Sequence, residues 1–296
     1  MKFLRIAAAL AAVLTPALPA WAAPLPDADP AMWVVKDEDT TVYLFGTFHV
    51  LDGKSDWFND EVKQAFDRSD EVVIEAIIPE DPATIAPLMA KYAMASSGKP
   101  LTERLSPEAK AKMAKILGES GIPAAALDKM KPGFAGMTVA LIPYQKAGMS
   151  PEHGTEKVLS KAAKEANKPM GELEGLEYQL KMLDQISEES HVQQLEEMLA
   201  KFEELPALIE NMKTYWNSGN AEGFAKLMNE MQAASPESFK VMLSDRNANW
   251  AEWIDQRMDK PGTVFVAVGT AHLAGTDSVQ QFLTKRGIDS ERVPAS

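Results

Sequence analysis

The chain has 296 residues, 30 of them basic and 43 acidic, for a formal charge of −13, and it has no cysteine. The acidic balance argues against nucleic acid or an anionic membrane surface as a partner. Without cysteine there is no disulfide, thiolate nucleophile or thiolate ligand, so stability must come from a hydrophobic core and any metal must be held by His, Asp or Glu.

In chain order, the first 22 residues read as a cleaved leader. Lys2 and Arg5 form a short positive region, residues 6–18 are apolar or small, and Ala20-Trp21-Ala22 offers a peptidase site. The apolar run is too short for a membrane span and is interrupted by Pro16 and Pro19. The expected location is therefore periplasmic or secreted, with no membrane contact after cleavage. Removing Lys2 and Arg5 with the leader leaves 28 basic against 43 acidic residues over 274, a formal charge of −15. Residues 23–30 are rich in Pro and Asp and read as a loose arm.

Two apolar runs, 32–35 and 41–45, flank a polar turn and predict a β-hairpin. Spacing of Phe58, Val62, Ala65 and Phe66 predicts a helix, and 71–75 a second buried strand, giving a βαβ unit with a right-handed crossover. From about 82 to 258 the sequence is largely helical, with proline breaks at Pro87, Pro100, Pro107, Pro123, Pro132 and Pro143. Within it, 157–166 reads as a helix, 168–173 as a short strand, 179–202 as one long acidic helix, and 217–220 as a turn. Residues 263–268 are the strongest strand. A helix at 277–286 and a strand near 291–293 complete the chain. The predicted fold is a single α/β domain over 23–296. Its central, mostly parallel sheet comes from the N- and C-terminal parts, and a large helical insertion packs over one end.

Of the four histidines, two share a context. Gly46-Thr47-Phe48-His49 and Gly269-Thr270-Ala271-His272 each follow a buried-looking strand and precede apolar residues. Glycine lets the chain leave the strand sharply, and histidine is delivered just past the strand's carboxyl end, where open α/β sheets bind ligands. If the strands are parallel neighbours, both imidazoles face one crevice, and paired histidines serve metal binding or acid–base work.

Glu75 ends the second strand and reads as a ligand or acid–base group on the same rim, or else as a solvated cap. Glu172 and Glu174, in Gly-Glu-Leu-Glu-Gly, read as site carboxylates or as a charged loop. Glu156 opens a helix and reads as a charge favoured by the helix dipole. His153 and His191 read as surface residues. Arg246-Asn247 begins a helix with Trp250, Trp253 and Ile254 on its apolar stripe. There Arg246 would pair with a site glutamate, hold a substrate oxyanion, or form a surface ion pair. No nucleophile elbow, Walker loop, His-Glu-X-X-His helix or dinucleotide fingerprint is present.

Taken together and in order, Met32-Trp33-Val34-Val35, Val42 through Leu51, Glu71 through Glu75, Lys168 through Leu180, Asp245 through Trp250 and Val266 through Gly275 resemble the TraB/GumN family, which includes the TIKI metalloproteases. The family pattern has two Gly-X-X-His motifs, a glutamate after the second strand and an Arg-Asn pair before the last. His49, His272, Glu75, Arg246 and Asn247 occupy those positions, and Glu174 matches a family carboxylate although Gly175 departs from the usual Thr. The resemblance implies a metal-dependent hydrolase acting on a peptide or protein. His49 and His272 would hold a divalent ion (Zn, Mn or Co) with Glu75 or Glu174 as third ligand. The other glutamate would be the general base and Arg246 the oxyanion partner. Related ChaN-like proteins associated with haem give a ligand-binding alternative, and a degenerate site on a periplasmic interaction protein gives another.

Overall fold

A computed structural model describes residues 24–95 and 98–295. The leader expected at 1–22 lies outside the described residues. Among the described residues no helix is long and apolar enough to cross a membrane.

The architecture is α/β. A six-stranded, mostly parallel sheet has the order β4-β3-β5-β2-β1-β6. β1 (Met32–Lys36) and β2 (Thr40–Thr47) form the predicted hairpin, with Met32 opposite Phe45. β3 (Glu71–Ile74) is reached through the helix Asp60–Arg68, whose Val62, Ala65 and Phe66 face the core. β4 is Met170–Glu172, β5 is Gly262–Gly269 and β6 is Glu291–Arg292. β2 and β3 do not pair with each other, because β5 lies between them and is parallel to both. Val264 to Val268 are buried, as expected of a strand covered on both faces.

One face of the sheet packs Phe45 and Phe265 against Trp57, Trp216 and the helix residue Phe66. On the other face, Val42, Leu44, Val264 and Val266 meet Trp250, Ile254 and Leu283. Trp250 and Ile254 come from the helix Asp245–Met258 and Leu283 from Val279–Lys285. The helices between β3 and β5 also build a separate core around Met113, Leu117, Val139 and Leu195.

Four expectations change. Residues 26–29 are no loose arm: Ala28 is buried, its N–H donates to the Asp56 carbonyl at 3.0 Å, and the Asp29 N–H reaches the Asn217 carbonyl at 2.8 Å. The single helix expected over 179–202 is two, Leu176–Met182 and Glu188–Ala200. They are separated where Ile186 turns extended and the Ser187 hydroxyl caps the Ser190 N–H. Pro87 sits inside the helix Pro82–Tyr92 rather than breaking it. His191 is buried, with Nε2 3.0 Å from the Leu183 carbonyl, whereas His153 is exposed as expected.

Candidate functional site

The two Gly-Thr-X-His segments meet at the carboxyl ends of adjacent parallel strands, with Gly46 opposite Val268 and Thr47 opposite Gly269. They interlock. The Thr270 hydroxyl donates to the Thr47 carbonyl at 2.9 Å. A methyl group on Gly46 would lie 2.9 Å from that hydroxyl, so glycine is required by the close approach. Reciprocally, a methyl group on Gly269 would sit 3.2 Å from Glu75 Oε1 and 3.3 Å from His49 Nε2. Each glycine thus makes room for a polar group of the opposite strand end. The indole of Trp216 fixes the Gly46 carbonyl at 2.8 Å.

His49 is the accessible member of the site, with 63 % of its side chain exposed. Its Nδ1 lies 2.6 Å from Glu156 Oε1. The loop carrying it is clamped to the start of the helix Thr155–Glu165: the Phe48 N–H donates to the Thr155 hydroxyl at 3.0 Å, and the Thr155 N–H to the Phe48 carbonyl at 3.2 Å. Gly154 packs against the His49 carbonyl too closely for any side chain. Surrounding protein disfavours the imidazolium, but the charge and hydrogen bond of Glu156 overcome this and raise His49 to about 9. Water around the open ring screens part of that attraction.

Behind His49 lies a buried cluster centred on Arg246, which is 4 % exposed. Its Nη2 donates to Glu75 Oε2 at 2.6 Å and also to Glu174 Oε1, which Nε reaches at 2.8 Å. Nη1 donates to the Met242 carbonyl and to His272 Nε2, both at 3.0 Å. The guanidinium stacks over Trp250 at 4.7 Å, and Trp250 in turn lies 4.3 Å from the His272 ring. Gln179 Nε2 bridges Glu75 and Glu174 at 3.2 and 3.1 Å. Met242 belongs to a π-helical turn, Lys240–Ser244, a form frequent beside functional sites.

Asn247 sets the tautomer of His272. Its Nδ2 donates to the Asp277 carbonyl at 2.7 Å, which turns Oδ1 toward His272 Nδ1 at 2.6 Å. Nδ1 therefore carries the proton, and Nε2 is the lone pair that accepts from Arg246. Burial, helped by the charges of Arg246 and His49, outweighs the pull of Glu75 and lowers His272 to about 3. Burial also opposes ionisation of Glu75, but its electrostatic attraction to His272, Arg246 and His49 and the Gly269 N–H at 2.7 Å lower it to about 2. His272 is neutral near pH 7, so there Arg246 and the raised His49 are the charges that keep Glu75 ionised.

The structure thus brings His49, Glu75, Glu174, Arg246, Asn247 and His272 together. Glu172 faces elsewhere, its Oε2 accepting from the Ile77 N–H at 2.8 Å. Two participants escape a reading of the sequence. Glu156 is the partner of His49 rather than a simple helix-dipole charge, a role hinted at by the Gly-Thr that precedes it as in both histidine motifs. Gln179 joins the carboxylates from five residues beyond Glu174, and nothing in its local sequence marks it.

A divalent ion, as the family resemblance implies, would need free lone pairs at His49, Glu75 and His272. His49 Nε2 and Glu75 Oε1 do flank the same space beside Gly269. The Nε2 of His272 is already the acceptor of a permanently charged guanidinium, so the three donors do not fit a resident cation as they stand. Among the described residues no group of three or more His, Cys, Asp or Glu is arranged to hold one.

The chain is similar to a protein of Escherichia coli strain K12 named "Uncharacterized protein YbaP", with 26 % identity over 255 residues, covering 86 % of this chain and 92 % of that one. The protein of the same name from Shigella flexneri matches with the same identity and coverage. No solved structure matches. The profile of the TraB/PrgY/gumN family matches residues 31–292, every strand of the sheet and the whole site included, and the chain belongs to that family.

Proposed function

We propose that this chain is a hydrolase, working on an amide or ester bond, in which the His49–Glu156 pair moves the proton. The observation that carries the reading is the 2.6 Å contact of Glu156 with Nδ1 of the one solvent-open histidine of the site. Glu156 holds the Nδ1–H, leaving Nε2 as the atom that exchanges the proton: raised to about 9, the ring donates it to the leaving group at neutral pH, and only its deprotonated fraction takes one from water. That nitrogen faces Gly269 and the ionised Glu75, where an attacking water would be oriented. With no cysteine in the chain, water is the simplest nucleophile for such a pair.

Arg246, Asn247, Gln179 and His272 support this chemistry from behind. They fix the charge and direction of Glu75 and keep the rim of the sheet rigid, as pre-organisation requires. In this reading the enzyme acts outside the cytoplasm, where the leader would deliver it.

The test is hydrolysis of a panel of peptides and aryl esters by the purified protein. His49→Ala should lower the rate by about 100- to 10,000-fold, the usual contribution of a positioned acid–base group. Turnover that survives unchanged in both His49→Ala and Glu156→Gln would remove the proposal.

A further inference from the structure

The five N–H bonds of Arg246 are all in use. Two go to Glu174 Oε1, one to Glu75 Oε2, one to the Met242 carbonyl and one to His272 Nε2. A guanidinium so engaged is no reserve donor for a substrate oxyanion. It is the positive centre of a closed network, stacked on Trp250 and buried among two carboxylates and a neutral imidazole. Charge in this network comes to minus one: two carboxylates against one guanidinium. A divalent ion would need the Nε2 lone pair of His272, an atom that lies 3.8 Å from Glu75 Oε1, and that lone pair is the one Arg246 Nη1 addresses.

We infer that Arg246 holds the place of the cation: the native site is metal-free, and a divalent ion reaches His272 only when the guanidinium is removed. Metal and arginine are then alternatives for the same lone pair and the same two carboxylates. Coulomb repulsion between a divalent ion and a fixed guanidinium within hydrogen-bonding distance of one imidazole keeps them from sharing it. The Asn247 amide, by holding the proton on Nδ1, presents Nε2 in the form that either partner would take. Arg246 acts here as a positioning residue and the substitute for an ion. The inference goes beyond the hydrolase reading and does not depend on it.

The experiment measures metal, not turnover. Full-length protein is passed over a desalting column, its zinc, manganese and cobalt are counted by mass spectrometry, and each ion is then titrated by calorimetry. Wild type should retain well under one ion per chain. Arg246→Ala should bind Zn²⁺ about 10- to 100-fold more tightly than wild type, and adding His272→Ala should abolish that gain. A full equivalent of metal in wild type that is lost in His272→Ala would overturn the inference. Should Arg246→Ala fail to fold, the ring nitrogens of wild-type His272 can be followed by NMR during addition of Zn²⁺. An unmoved Nε2 resonance supports the assignment, and a shifted one overturns it. An inactive, metal-free protein would count against the hydrolase reading alone.

Discussion

His49 and Glu156 lie 107 residues apart in the chain and meet at 2.6 Å across the mouth of the site. The contact joins the first histidine motif to the start of a helix in the middle of the sequence and gives one imidazole a fixed proton on Nδ1. It also sets a measurable property. The folded-state pKa of His49 is raised, to about 9. A raised histidine contributes stability that is fully present below its unfolded value near 6.5 and is lost as pH rises through the folded value. NMR titration should therefore find His49 above 6.5, and Glu156→Gln should bring it back toward that value. A titration identical in both proteins would refute the pairing.

His272 should behave in the opposite sense. Its pKa is lowered to about 3 and that of Glu75 to about 2. For both groups the unfolded chain binds more protons at acid pH, so their contribution is lost as pH falls, from 6.5 for His272 and from 4.5 for Glu75. Between pH 7 and pH 5 wild type should lose up to about 2 kcal/mol through His272, at about 1.4 kcal/mol per pH unit below 6.5. Urea denaturation of wild type and His272→Gln at the two pH values checks this, since the variant should show the smaller loss.

Removing the guanidinium leaves two buried carboxylates without their counter-charge. Arg246→Met should destabilise the protein by about 3–5 kcal/mol, the usual cost of breaking a buried ion pair from one side. Combining it with Glu75→Gln and Glu174→Gln should recover much of the loss. Thermal and urea melts of the single and triple variants give the comparison, and a triple variant no more stable than the single one would contradict the charge argument.

The two motif glycines should differ in what they protect. At Gly46 an added methyl group would press on Thr270 Oγ1 at 2.9 Å and spread the strand ends, costing about 1–3 kcal/mol as overpacking. At Gly269, where φ is −49° and backbone strain is absent, the methyl group would meet Glu75 and His49. Gly269→Ala should therefore keep a near-wild-type melt and impair the site, read as a displaced His49 resonance. Equal loss of stability in both variants would defeat the distinction.

Much of this arrangement is legible in the sequence. The strand runs ending at Thr47, Ile74 and Gly269 carry continuous apolar residues, and a glycine followed by threonine and histidine marks where two of them stop. What sequence could not supply is pairing across distance. Glu156 looks like any acidic residue in a first helical turn, because its partner is 107 positions away. Gln179 has no local signature, since its meaning comes from the two carboxylates it bridges. His191 reads as polar and exposed until the packing of helices around Leu183 buries it. The helix break at Ser187 was available from its capping residue and the acidic pair that follows, but a sustained helical period over 179–202 masks it.

The position of β5 has a consequence for how the molecule comes into being. Of the long strands described it comes last in the chain, yet it occupies the middle of the sheet, and β2 and β3 pair only through it. The hairpin and the helical core around Met113 are built from residues before 262, but the rim that joins His49 to Glu75 also needs β5. Such a topology, rich in long-range pairing, folds late and slowly. A chain released or cut short before that strand would hold the first histidine motif without the partner that makes it a site.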